Sequence, residues 1–369
     1  TSCQLVPYAY CAGADLSYMD LSGMDLTGIN LRGANLQNTT FDYATLDYAD
    51  LRSIVAINTT FIHTGMNVTY LQNAKFNRYS FSECDGYCGA ANLTHAYLDS
   101  ADLTDAYLRD VNLTNAYLAF ADLTNADLYY AILVDAYLAF ADLPDAGLWG
   151  ADLTNADLDS ADLTDAELLG ADLTNANLER ADLSNTRLNY ANFTNAILSY
   201  AILVDAELWN TDLTNAELED ADLTNADLTF ANFTNAELFD AVLANAELFN
   251  ADFTNAELLG ADFTNAELTL ANFTNAELSF TDLTNANLDR ANLTNAILSY
   301  AILVDAKLWN ADFTNADLYY ADLTNAELFN ADLTDADFEK AIVTNTNFTN
   351  TIWSNTIWTD GVAYNTNQA

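Results

Sequence analysis

The sequence is short of cations. Its 369 residues hold 10 Lys plus Arg against 54 Asp plus Glu, a formal net charge of −44. A surface of that sign repels nucleic acid and anionic membranes, and it suits a basic partner, divalent cations or plain solubility. With 2 Pro and 12 Gly there is no Pro- or Gly-rich linker. No apolar run approaches the ~18 residues of a transmembrane helix. There are two His, His63 and His95, and no GxSxG signature. A glycine-rich phosphate loop, a basic patch and an EF-hand-like loop are also missing. Carboxylates recur everywhere, so no one pair marks a catalytic site. These absences point to a non-enzymatic protein with no cofactor. Calcium held by acidic columns is the one ion the composition suggests. The chain starts at Thr1 rather than Met, which fits a processed product.

Cysteine is scarce and paired. Cys3/Cys11 and Cys84/Cys88 are the only four, and neither pair has the CxxC spacing of a zinc site. Four cysteines allow three connectivities; the local pairing is the simplest. Two close pairs in an otherwise Cys-free chain read as disulfides and hence an oxidising, extracellular or secretory compartment; free buried thiols are the alternative.

What the chain does contain is a repeat. From Ala91 the text runs ANLTH AYLDS ADLTD AYLRD, with Leu or Phe every five residues from Leu93 to Phe348 and then Trp353 and Trp358. A small residue, usually Ala, lies two before this central residue, and Asp, Asn or Glu lies one before it. An earlier stretch has the same pattern in another phase, centred on Leu16, Leu21, Leu26, Leu31, Leu36, Phe41, Leu46 and Leu51 and running more weakly to Phe81. Between Phe81 and Leu93 the step is twelve residues rather than ten, which predicts two extra residues, bracketed by Cys84 and Cys88. A five-residue period fits neither a helix nor a flat strand, and roughly 68 such units exclude ordinary globular folding.

The pattern small–polar–Leu/Phe–Thr–Asn, repeated from Ala14 to Trp358, resembles that of the pentapeptide repeat family. The resemblance implies an all-β, right-handed quadrilateral parallel β-helix with four pentapeptides per coil, Ala and Leu/Phe inside and the other three residues outside. It implies about 17 coils and a rod about 80 Å long at the ~4.8 Å strand spacing. The organisation expected is a disulfide-clamped cap or arm at 1–13, a first repeat section at 14–82, an insertion loop at 83–90, the main section at 91–360 and a tail at 361–369.

Twenty residues per coil turn the sequence into surface columns. Before the centre, one side reads Asp102, Asp122, Asp142, Asp162, Asp182, with Ile or Val at 202, 242, 302 and 342 and no Asn. The opposite side carries Asn92, Asn112, Asn192, Asn232, Asn272 and Asn292, each in an Asn-x-Thr sequon. Asn38, Asn58, Asn67 and Asn347 complete ten sequons, all at outward positions of the register. A repeat containing NLT creates sequons without purpose, but drift does not place them on one side. The reading is N-glycosylation. Outward aromatics form a stripe at Tyr129, Trp149, Trp209, Phe249, Trp309 and Phe329, and a second at Phe120, Phe140, Tyr200, Phe280, Tyr300 and Tyr320. Such columns tile against each other, stack on sugars, or pack on another chain. The text NAILSYAILVDA occurs twice, five coils apart.

No capping helix is visible at the C-terminus, and an unclosed β-helix end invites head-to-tail stacking into a filament. The function expected is therefore an extracellular structural glycoprotein that polymerises with itself, with no nucleic-acid or membrane partner. The alternatives are an acidic DNA mimic that binds a type II topoisomerase, as the resemblance to some family members implies, and an ice- or carbohydrate-binding surface built on Thr-rich faces.

Overall fold

A computed structural model describes residues 3–76 and 91–366. The chain divides into two compact units, Thr1–Arg187 and Leu188–Ala369; nothing in the five-residue register marks the boundary. Each unit is a stack of twenty-residue coils with four sides. In the second unit, for example, Asp252 bridges Asn272 and Glu257 bridges Glu277, parallel and one coil apart. The first unit has the same register, as in Asp102 to Asp122 and Tyr97 to Tyr117.

The five-residue unit works because every backbone N–H in it has a partner. Around the centre Phe253, Asp252 N–H donates to Ala231 C=O of the preceding coil (2.9 Å) and Phe253 N–H to Asn272 C=O of the next (2.7 Å). Asn255 N–H also donates to the next coil, at Thr274 C=O (3.0 Å), and Ala256 N–H closes a turn on Phe253 C=O (3.0 Å). The one N–H left, that of Thr254, donates to the Asp252 carboxylate (2.9 Å). Asp or Asn before the centre is therefore part of the corner, not merely surface charge.

Each corner places its third residue in the left-handed region, as a type II turn requires. Non-glycine residues there have φ of 53–65°. Asn and Asp tolerate this conformation best after Gly, which explains the recurrent Asn of LTN. Because a corner follows so soon, each side contributes a single bridging residue rather than a strand. Among the described residues the only regular strands are β1, Thr356–Ile357, and β2, Ala363–Tyr364.

The interior of each unit is filled by Ala and Leu/Phe, nearly all fully buried. Phe233, Phe253 and Phe273 stack along one inner wall at 4.7 and 4.9 Å, and Phe263 meets Phe253 edge-on at 5.9 Å. Where Thr replaces the inward Ala, its hydroxyl finds a carbonyl, as Thr211 does at Leu208 (2.7 Å). A buried hydroxyl without such a partner would be costly.

Three expectations need correction. The coil crossing the insertion has Gly65 bridged to Asn92, Tyr70 to Tyr97 and Lys75 to Asp102, twenty-seven residues apart. Seven extra residues enter, not two; five of them equal one whole unit and leave the repeat in phase, which hides them. Cys84, Cys88 and the predicted loop 83–90 lie outside the described residues.

The N-terminal cap is smaller than 1–13. Cys11 occupies a central, buried position (3% exposed), its N–H bonds Asn30 C=O (2.7 Å), and Tyr10 bridges Asn30. The coil thus starts before Ala14, with Cys in place of Leu. Cys3 and Cys11 are disulfide-bonded, Cα–Cα 5.2 Å.

The C-terminal end is not left open as expected. It turns at Gly361 (φ 77°) and lays β2 antiparallel on β1, with Trp358 N–H donating to Val362 C=O (2.9 Å). That side of the last coil is covered. Phe348, Trp353 and Trp358 close the interior beneath, with the two indole rings 5.0 Å apart.

Candidate interaction surface

The outward side chains fall into three sets. The first is the acidic corner. Thr124, Thr164 and Thr254 each donate N–H and hydroxyl to the Asp two residues earlier, at 2.5–3.1 Å. Such bonds favour the ionised carboxyl. Ser17, Ser22 and Thr27 hold Asp15, Asp20 and Asp25 below the usual carboxylate range in this way. Asp102 is raised by burial but pulled lower still by Lys75 and Thr104. The Thr hydroxyls that make the faces look flat and Thr-rich are thus spent on their own corners. Among the described residues no three metal-ligating side chains converge.

The second set, missed from sequence, is a ladder of corner amides. Asn215 donates its Nδ2 to Asn195 Oδ1 (3.0 Å), and the same link joins 235 to 215, 255 to 235, 275 to 255, 295 to 275 and 315 to 295. Identical amides at one coil spacing chain together as they do in stacked sheets. The signal was the fixed Asn of LTN, two after each centre.

The sequon asparagines take part in similar links. Asn232, Asn272 and Asn292 are half-buried. Asn232 Nδ2 donates to Asp212 Oδ1 (3.2 Å) and Thr214 Oγ1 (2.9 Å); Asn272 reaches Asp252 and Thr254; Asn292 reaches Asn272 and Thr274. The nitrogen that would carry a glycan is therefore turned along the stack. In such a column Asn supplies a donor where a second carboxylate would repel its neighbour. Asn38, Asn67, Asn112 and Asn192 are also half-buried; Asn58, Asn92 and Asn347 are exposed. Asn58 Nδ2 donates to Asn38 (3.2 Å).

The third set is aromatic. Phe120 stacks on Phe140 (5.1 Å), and Phe280, Tyr300 and Tyr320 stack at 5.1 and 5.2 Å, nearly parallel. Stacking uses the ring faces and leaves edges outward, a poor platform for sugar rings. The other stripe behaves differently. Trp149, Phe249, Trp309 and Phe329 are exposed, while Tyr129 and Trp209 are half-buried. In the second unit corner aromatics interleave with it: Tyr190, Trp209, Phe230 and Phe249 meet edge-to-face at 4.7, 6.0 and 5.6 Å. In the first unit Gly147 has no side chain, which lets Tyr129 lie across its coil and donate to Glu167 (2.9 Å). Arg109 sits over that ring (4.6 Å) and pairs with Asp127. Together they line a cleft of about 500 Å³. Burial, then Glu167, pushes the Tyr129 phenol up.

Comparison with known proteins finds the same repeat. The family profile described as pentapeptide repeats covers residues 9–55, 91–128 and 131–350. HetL from the cyanobacterium Nostoc sp. strain PCC 7120, a pentapeptide repeat protein involved in heterocyst differentiation regulation, is 31% identical over 60% of this chain and 91% of its own, TM-score 0.39. Rfr23 from the cyanobacterium Cyanothece 51142 is 38% identical over 26% of this chain and 63% of its own, TM-score 0.24. QnrB1, a plasmid-mediated fluoroquinolone resistance protein, is 20% identical over 53% of this chain and 88% of its own, TM-score 0.29. No curated protein matches by sequence.

Proposed function

The chain belongs to the pentapeptide repeat family, whose members fold as right-handed quadrilateral β-helices, and we propose that it is a non-enzymatic, extracellular structural glycoprotein that assembles with itself into fibres. One observation carries the reading. The outward hydroxyls, carboxylates and amides of the repeat are engaged with one another, within a corner as in Thr254 with Asp252 and along the stack as in Asn255 with Asn235. What remains for a partner is edge, charge and exposed aromatic surface, which suits assembly rather than chemistry. The Cys3–Cys11 disulfide supports an oxidising compartment. Glycans fit best at the exposed sequons Asn92 and Asn347; at Asn58, Asn232, Asn272 and Asn292, whose Nδ2 atoms are engaged, attachment has to precede closure of the coil.

Electron microscopy of the purified protein over a range of concentrations tests this. Fibres are expected, with a mass shift removed by glycosidase. A protein that neither assembles nor carries glycan refutes the reading. The second reading, an acidic mimic of DNA, is favoured by the ionised columns around Asp15, Asp20 and Asp25. It requires tight, salt-sensitive binding to a type II topoisomerase.

A further inference from the structure

One side of the second unit differs from the rest. Its central residues Leu208, Leu228, Leu248, Leu268, Leu288, Leu308 and Leu328 are buried. Over them Tyr190, Phe230, Phe249, Leu270, Trp309 and Phe329 are exposed, between 37% and 53%. Edge-to-face contacts join the first rings of this band, from Tyr190 through Trp209 and Phe230 to Phe249.

The same side is polarised in charge. Before the centre its column reads Glu207, Asp227, Glu247, Glu267, then Asn287 and Lys307, and returns to acid at Glu327, which accepts from Trp309 Nε1 (2.7 Å). The second unit has only three cations, Arg290, Lys307 and Lys340, and the first two lie here in adjacent coils. Lys307 is exposed and makes no ion pair among the described residues. Among the described residues Arg290 pairs with Asp289 alone, at 3.8 Å, with its side chain 64% exposed.

The sequence of this region repeats itself with one change. Residues 194–210 and 294–310 are identical except that Glu207 is replaced by Lys307. The two copies lie five coils apart on the same sides of the stack.

We propose that this side is a homodimer interface on which two copies lie side by side and antiparallel. The two-fold axis passes between the coils of Leu248 and Leu268. That register sets the coil of Leu208 against the second copy's coil of Leu308, and that of Leu228 against its coil of Leu288. Glu207 then meets the second copy's Lys307 twice by symmetry. Phe230 receives the guanidinium of its Arg290, a cation–π contact, and Asp227 faces neutral Asn287. A parallel pairing in register would oppose Lys307 to Lys307 and Glu207 to Glu207, so charge selects the antiparallel arrangement. A two-fold interface must be self-complementary, and the duplicated segment with its reversed charge supplies that.

Glu207 accepts from Asn189 (2.9 Å), so the second copy's Lys307 would join contacts that this carboxylate already makes. The unfavourable place is the axis, where Glu247 and the second copy's Glu267 approach each other. The eight coils from Leu188 to Leu328, at ~4.8 Å, span about 34 Å. A five-residue side is at most about 17 Å wide. The contact is thus about 1,100 Å² in total, at the lower end of specific interfaces, so the dimer is expected to be reversible.

The proposal does not rest on end-to-end assembly. Sedimentation velocity of the full chain over a range of concentrations separates the two. A side-by-side pair stops at two, whereas end-to-end growth continues and is indifferent to Lys307. Lys307→Glu is expected to weaken dimerisation about tenfold or more, because two contacts turn repulsive. Glu207→Lys combined with Lys307→Glu should restore it to within about threefold. Glu247→Gln with Glu267→Gln should strengthen it. A chain that stays monomeric at every concentration overturns the proposal, as does a dimer that Lys307→Glu leaves unchanged or that the double reversal does not rescue.

Discussion

Asp142 offers the sharpest test of how the acidic columns are stabilised. It lies between Asp122 and Asp162, one coil to each side. Its neighbours each receive an N–H and a hydroxyl from the Thr two residues on. Asp142 is followed instead by Pro144, which has neither group to give. Burial, then the charges of Asp122 and Asp162, push its carboxyl above the ordinary value of 3.8. Unit charges ~4.8 Å apart in water repel by about 0.9 kcal/mol, or about 1.7 kcal/mol from two neighbours. Screening at physiological salt removes roughly half of that. Asp142→Asn should therefore stabilise the first unit by about 1 kcal/mol at pH 7, a rise of about 2–4 °C in its melting temperature.

The sign with pH follows from the raised carboxyl. Above the folded value the penalty is full; as pH falls through that value the folded protein takes up the proton first and the penalty vanishes. The gain from Asp142→Asn should thus be complete at pH 7, shrink toward the ordinary 3.8 and grow at low salt. Thermal unfolding as a function of pH and salt reads it. Exchange of the Leu123 amide, bonded to Asp142 C=O (2.6 Å), localises it. A gain that ignores both pH and salt, or no gain at all, refutes the electrostatic account.

Asn255→Ala should cost about 1–2 kcal/mol for the left-handed corner, on top of the two ladder bonds to Asn235 and from Asn275 (3.1 and 3.0 Å). Asn255→Gly should cost less, and equal denaturation midpoints for the two would show that the backbone is not the issue. If the sequons are used, peptide mapping should find higher occupancy at Asn92 and Asn347 than at Asn232, Asn272 and Asn292, whose Nδ2 atoms are engaged; the reverse order would contradict the geometry. Reducing Cys3–Cys11 should free about 2.5 kcal/mol of loop entropy for its eight-residue separation. Hydrogen exchange should then rise at the Cys11 and Gly13 amides and stay unchanged in coils beyond Asp50.

The five-residue period, read with the family resemblance, made the inward Ala and Leu/Phe and the twenty-residue columns legible, because burial repeats with the register. The role of Asp252 toward Thr254 was not legible. An acid beside an apolar residue reads as surface charge until the backbone shows an N–H with no other partner. The ladder from Asn195 to Asn315 was hidden for a related reason: the constant Asn looked like composition, and only the left-handed corner makes it a requirement. Gly65 opposite Asn92 could not be read at all, since one additional unit leaves the period intact. The half-buried state of Trp209 depended on corner residues Tyr190 and Phe230, which lie in a different column of the text.

The twenty-seven-residue coil has a consequence for engineering. Lys75 and Asn92 take their normal places although an entire unit and two further residues intervene. Neighbouring coils hold one another through backbone bonds at the sides, so the register of the described coils is indifferent to the length of chain between Phe76 and Ala91. This position is a natural port for cargo. A foreign peptide inserted between Phe76 and Ala91 should leave the later columns of the first unit in order, as the seven extra residues already do.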